Sequence, residues 1–271
     1  MLKTRLLTAA VLLPLFVSAL VFLPNKYWGV FLLLGLLMAS LEWAVLVGYG
    51  RTAQRVFGGL MVASGVALLY AQDSLTNPAV AVWLSLPMWV SAVFWLLLVP
   101  AWLGGKWRLD NVLIMGVTGW IVLVPTWLAL VGLQLEPARL LMLLGIVWIA
   151  DSAAYLVGQR FGRRRLAPRI SPGKTWEGVA GACVAVAVYY AVLWFMFAPR
   201  EALFHGWGGI ILFAAVMVMS VEGDLFESWI KRQAGVKDSG RLFPGHGGML
   251  DRVDGLIASM PLAALSLYYS A

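Results

Sequence analysis

Cysteine is almost absent. Cys183 is the only one in 271 residues, which excludes an intramolecular disulfide and leaves no thiolate cluster for a metal. It falls within an apolar run and reads as a small core residue. Histidine is nearly as scarce, with two residues, so His246 has no second His or Cys nearby to make a zinc site. Charge is scarce too: 12% of residues are charged against 62% hydrophobic, with a mean hydropathy of +0.86. That balance argues against a soluble globular domain. Low-complexity linkers, internal repeats and a Walker A sequence are also missing, so neither a repeat architecture nor a P-loop fold is implied.

Long apolar runs fill the space instead. A bilayer-spanning helix needs roughly 20 mainly apolar residues, and such runs occur at 4–23, 27–48, 55–71, 79–100, 112–133, 139–160, 177–198, 207–232 and 253–270. The expected fold is all-α: a polytopic integral membrane protein of about nine transmembrane helices. The first run, with Lys3 and Arg5 before it, has the look of a signal peptide. It lacks a clear small-residue cleavage site and is kept as a span. Short cytoplasmic loops carry excess Lys and Arg. With the N-terminus in the cytoplasm, only Lys26, Arg139 and Arg200 of the 20 basic residues fall outside. The net charge of +7 is then mainly a topological signature. It suits anionic headgroups and is no argument for nucleic acid.

The chain reads as a single membrane domain, with residues 1–135 mainly scaffold helices and 136–271 the working half. Glu42 is the one intramembrane acid that stands out in the first part. Charged side chains in hydrocarbon are costly and mark function. Asp151 lies roughly 13 Å from the Arg160 end of its helix, and Asp224 about 12 Å from the Arg232 end of its own. Tyr155 and Gly158 share the face of Asp151, as Glu227, Ser228 and Lys231 share that of Asp224. Asp251 and Asp254, three apart, open the last span on one face. Three helices can thus bring Asp151, Asp224, Asp251 and Asp254 to one cytoplasm-facing cavity, where oxygen ligands suit Mg²⁺. Helix capping is an alternative for Asp251 and Asp254, but Asp151 and Asp224 lie too deep for it.

Two cationic segments accompany these acids. Residues 158–178 carry Arg163, Arg164 and Arg165, which positive-inside topology explains. Ser171, Lys174 and Thr175 in the turn Ser171–Thr175, just before a helix, form a phosphate cradle with free backbone amides. The run SWIKRQAGVKDSGRLFPGHGGMLDRVD, residues 228–254, holds Lys231, Arg232, Lys237, Arg241, His246 and Arg252. Its Gly245, Gly247 and Gly248 allow close backbone approach to a ligand. Carboxylates for a metal beside cations for phosphate point to phosphoryl or nucleotidyl transfer, a chemistry of positioning and charge neutralisation.

That run resembles, position by position, the signature of the phosphatidate cytidylyltransferases. The matching residues are Ser228, Lys231, Arg232, Lys237, Asp238, Gly240, Phe243 to Gly248, Asp251, Arg252 and Asp254. Asp151, Tyr155 and Gly158 resemble the family too, as does Ile170–Thr175 with Glu177 and Gly178. The resemblance implies an enzyme that joins CTP and phosphatidic acid to give CDP-diacylglycerol and pyrophosphate. It implies Mg²⁺ held primarily by Asp224 and Asp251, with Asp254 and Asp151 as further ligands. A monovalent cation such as K⁺, a homodimer and a bacterial inner membrane with the site facing the cytoplasm are inherited with it. Catalytic roles are expected for Asp224, Asp251, Lys174, Lys231, Arg232, Lys237 and His246. Ser171, Thr175, Arg241, Arg252 and Tyr155 join those cations in holding substrate. Rival readings are an ion-coupled transporter and another membrane lipid phosphotransferase. The aspartate-rich pattern of the enzymes that join CDP-activated lipids to alcohols is absent.

Overall fold

The computed structural model describes residues 2–72, 78–198, 202–204, 206–243 and 247–268. His246, the neighbouring Pro244 and Gly245, and Arg200 lie outside them. Ten α-helices are seen among the described residues: α1 (Leu2–Phe22), α2 (Asn25–Leu46), α3 (Arg51–Gln72), α4 (Pro78–Val93), α5 (Val99–Gly105), α6 (Val112–Leu133), α7 (Pro137–Phe161), α8 (Trp176–Phe197), α9 (Gly208–Gln233) and α10 (Leu250–Tyr268). A π-helical turn, Phe94–Leu98, joins α4 to α5 without a break. Pro100 has no N–H to return to the carbonyl four residues back, and the wider turn absorbs that loss.

Among the described residues, seven helical segments are long and apolar enough to cross a membrane, from Asn25–Leu46 to Gly208–Gln233. The protein is an integral membrane protein. The expected last span begins earlier than the apolar pattern suggests, because Leu250, Asp251 and Arg252 already belong to α10. The expectation of helices alone missed one feature. Strands β1 (Arg165–Ala167) and β2 (Ser171–Thr175) form an antiparallel hairpin between α7 and α8. The Ser171–Thr175 segment is therefore a strand, not a turn.

Packing around α9 fixes the site. Phe226, fully buried on α9, meets the rings of Trp43, Phe94, Trp95 and Trp102, with centroids 5.4 to 6.5 Å away. Each such aromatic pair adds about 0.5–1.5 kcal/mol beyond area burial. One turn earlier, α9 and α10 touch at Gly223, where a Cβ would run into the Asp254 carbonyl. Thr126 Oγ1 on α6 donates to the Ile257 carbonyl of α10 at 3.1 Å.

The loops expected on the cytoplasmic side meet at one end of the bundle. Trp229 Nε1 donates to the Trp107 carbonyl at 2.9 Å, and the Leu109 amide to Gln233 Oε1 at 3.3 Å. Arg232 Nε donates to the Ile170 carbonyl beside the hairpin at 3.3 Å. These three contacts gather the ends of α5, α7 and α9 in one place, and the Ser239 amide, donating to Asp251 Oδ2 at 2.9 Å, ties the loop after α9 to the start of α10.

Candidate active site

The hairpin delivers the first cation. Thr175 caps α8, its buried Oγ1 accepting the Gly178 amide at 3.1 Å. Lys174, next to the cap, turns inward from β2. Its Nζ meets Asp224 Oδ2 at 2.7 Å and the Val221 carbonyl at 3.3 Å. Asp224 Oδ1 also accepts the Ser228 hydroxyl, one turn on, at 3.2 Å. A lysine of the hairpin therefore reaches an aspartate inside α9.

The second cation is more enclosed. Lys231 on α9 lies between Glu227 Oε2 at 2.5 Å and Asp251 Oδ1 at 2.6 Å, and Glu227 is 1% exposed. The other oxygen of Asp251 accepts the Ser239 amide, the Ser239 hydroxyl and the Gly248 amide at 2.8–2.9 Å. A carboxylate offers about four acceptor positions. These three donors crowd Oδ2, while Lys231 meets Oδ1.

Asp151 is exposed on α7, and its charge acts on Asp224, Lys174 and Arg252. Asp254 feels the charges of Asp224, Glu227 and Asp151. Its Oδ1 accepts only the adjacent Gly255 amide, at 2.8 Å. Asp151, Asp224 and Asp254, from three helices, are thus within electrostatic reach of one another, and Lys174 pairs with Asp224. Among the described residues, no group of three or more His, Cys, Asp or Glu side chains is arranged to hold a metal ion as the site stands. The donor chemistry nevertheless fits a hard divalent cation: oxygen ligands, negative charge in excess, and no ion pair to Asp151 or Asp254 among the described residues.

The remaining candidates divide. Arg232, exposed, gives two of its five N–H donors to the Ile170 and Val236 carbonyls, which braces the hairpin against the end of α9. Thr175 is buried and caps α8, its Oγ1 accepting the Gly178 amide. Ser171 pairs with Ala167 in the hairpin. Tyr155 is exposed and accepts a hydrogen bond from Gln159 Nε2 at 2.8 Å. Lys237, Arg241 and Arg252 are exposed at the same end of the bundle.

One residue was overlooked as part of the site. Glu42 on α2 accepts the Met249 amide, the Leu250 amide and the Ser239 hydroxyl at 2.8–2.9 Å. Its signal was present in the sequence, since an acid inside an apolar span is costly.

Fold and site together define a polytopic helical membrane protein whose opposed charges converge from α7, α9, α10 and one hairpin. The chain belongs to the cytidylyltransferase family, whose model matches residues 3–270. It is 38% identical over 272 residues to a phosphatidate cytidylyltransferase of Pseudomonas aeruginosa, covering 99% of this chain and 97% of that one. It is 37% identical over 228 residues to a phosphatidate cytidylyltransferase of Brucella suis, covering 83% and 78%. A protein of the same name from Haemophilus influenzae is 46% identical over 126 residues, covering 46% of this chain and 43% of that one.

Proposed function

We propose that this protein is a phosphatidate cytidylyltransferase of the bacterial inner membrane, working at the cytoplasmic face. A phosphate oxygen of phosphatidic acid attacks the α-phosphorus of CTP. The bond to the β-phosphate breaks, and CDP-diacylglycerol and pyrophosphate result. The observation that carries this reading is the likeness to the P. aeruginosa enzyme over 99% of the chain. The site supplies matching chemistry. The attacking oxygen is already anionic, so the need is for charge neutralisation and in-line placement, not a base.

Lys174 and Lys231, beside the carboxylates they pair with, would neutralise charge on the triphosphate and the lipid phosphate. Exposed Lys237, Arg241 and Arg252, with His246, extend the same cationic rim. Asp224, Asp254 and Asp151 would hold Mg²⁺, which neutralises charge on the triphosphate when bound. Asp251 orients Lys231 and holds Ser239 and the Gly248 amide. A monovalent cation such as K⁺ and a homodimer belong to the same proposal, and light scattering of the detergent-solubilised protein tests the latter.

Pyrophosphate release from CTP by the purified protein should require both phosphatidic acid and Mg²⁺. A transporter releases none, and an alcohol phosphotransferase consumes CDP-diacylglycerol instead. Lys174→Ala should raise the KM for CTP on the order of tenfold, the worth of a charge-assisted hydrogen bond. Initial rates across CTP concentrations check this, and an unchanged KM confines Lys174 to topology.

A further inference from the structure

We propose that Glu42 is the positioning residue of this site: from α2 it fixes Ser239, Met249 and Leu250 in the register that presents Asp251 to Lys231. This rests on the reading above, in which the loop before α10 faces CTP. Glu42 is half-buried and makes no ion pair among the described residues. Donors from the far half of the chain hold its carboxylate: Oε1 accepts the Met249 amide at 2.8 Å, while Oε2 accepts the Leu250 amide at 2.9 Å. Leu250 is the first residue of α10, so the negative charge sits where free N–H groups and the helix dipole favour it.

Ser239 carries the effect onward. Its hydroxyl lies 2.8 Å from Glu42 Oε2 and 2.9 Å from Asp251 Oδ2. A hydroxyl has one proton to give, so it is shared between the two carboxylates. The chain Glu42–Ser239–Asp251–Lys231–Glu227 then runs without a gap from α2 to α9. Nothing in it touches substrate at Glu42, which acts only through Ser239 and the two backbone amides.

The glycines make an independent case. A Cβ on either Gly240 or Gly248 would strike the Glu42 carboxylate. A Cβ on Gly247, whose φ is +79°, would strike Asp251. Read from sequence, the glycines of this segment suggest room for a ligand. In the structure Gly240 and Gly248 make room for Glu42.

Glu42→Gln keeps the size and one acceptor but turns an amide group towards a donor. In the full-length, detergent-purified enzyme it should raise the KM for CTP about tenfold, with the KM for phosphatidic acid within about twofold and the thermal midpoint close to wild type. Hydrogen exchange at the Met249 and Leu250 amides should quicken. Ser239→Ala, which keeps the carboxylate, should give the same split more weakly. Gly248→Ala should reproduce it, and the Glu42→Gln/Gly248→Ala pair should cost no more than the worse single change. Equal rises in both KM values, additive losses in the pair, or unchanged exchange at those two amides would overturn the proposal. Should the wild type fail to turn over CTP with phosphatidic acid, the functional reading fails, while the amide exchange still decides the role of Glu42.

Discussion

Asp224→Asn is expected to lower turnover by about 10³-fold while the protein still inserts, extracts and unfolds at close to the wild-type temperature. The asparagine keeps an oxygen for the Ser228 hydroxyl, which now meets Asp224 Oδ1 at 3.2 Å. What disappears is the charge that pairs with Lys174 and that would hold the cation between α7, α9 and α10. The repulsion with Asp151 and Asp254 falls as well, so folding does not suffer. A second signature separates metal binding from simple pairing. The Mg²⁺ concentration for half-maximal rate should rise in Asp224→Asn but stay near wild type in Asp251→Asn, whose carboxylate is engaged by Lys231, Ser239 and Gly248. Equal shifts in both variants would return Asp251 to the metal, as the sequence resemblance has it.

Lys231→Met is expected to be the most destabilising single change at the site. The ammonium is 10% exposed and neutralises two carboxylates, of which Glu227 is 1% exposed. Removing one partner of a buried pair costs about 3–5 kcal/mol, because an uncompensated charge is left behind. Against a total stability of about 5–15 kcal/mol that loss is large, and the thermal midpoint in detergent should fall by roughly 10 °C. The double change Lys231→Met/Glu227→Gln should recover much of the midpoint, since the most buried charge then goes too. It should not recover activity, because Asp251 still lacks its cation. A midpoint that stays low in the double variant would place the cost in packing instead.

Much of the fold was legible because the bilayer imposes it. Apolar runs give the helices, and a lysine and arginine count gives the grouping of loops that Arg232, Trp229 and Gln233 later show at one end of the bundle. The deep aspartates were legible for the same reason: charge in an oily helix is conspicuous. The hairpin was not. Residues 165–175 are too short and too rich in arginine, proline and glycine to show strand alternation, and their pairing is local geometry. Thr175 illustrates the limit. A threonine before a helix can cap it or face a phosphate, and no sequence pattern shows the Gly178 amide that its Oγ1 accepts at 3.1 Å. Glu42 illustrates the other limit. Its cost was visible, but its partners lie about two hundred positions away at Ser239, Met249 and Leu250, a separation no periodicity reaches.

The central claim is that charges gathered from both halves of the chain transfer a cytidylyl group to a membrane lipid. Following the phosphorus atoms tests it most directly. CTP labelled at the α-phosphate and CTP labelled at the γ-phosphate are supplied in parallel to the purified protein with phosphatidic acid and Mg²⁺. The α label should pass into the organic phase as CDP-diacylglycerol, while the γ label stays in water as pyrophosphate, and Asp224→Asn should show neither. Both labels remaining in CTP, or the γ label entering the lipid, would contradict it.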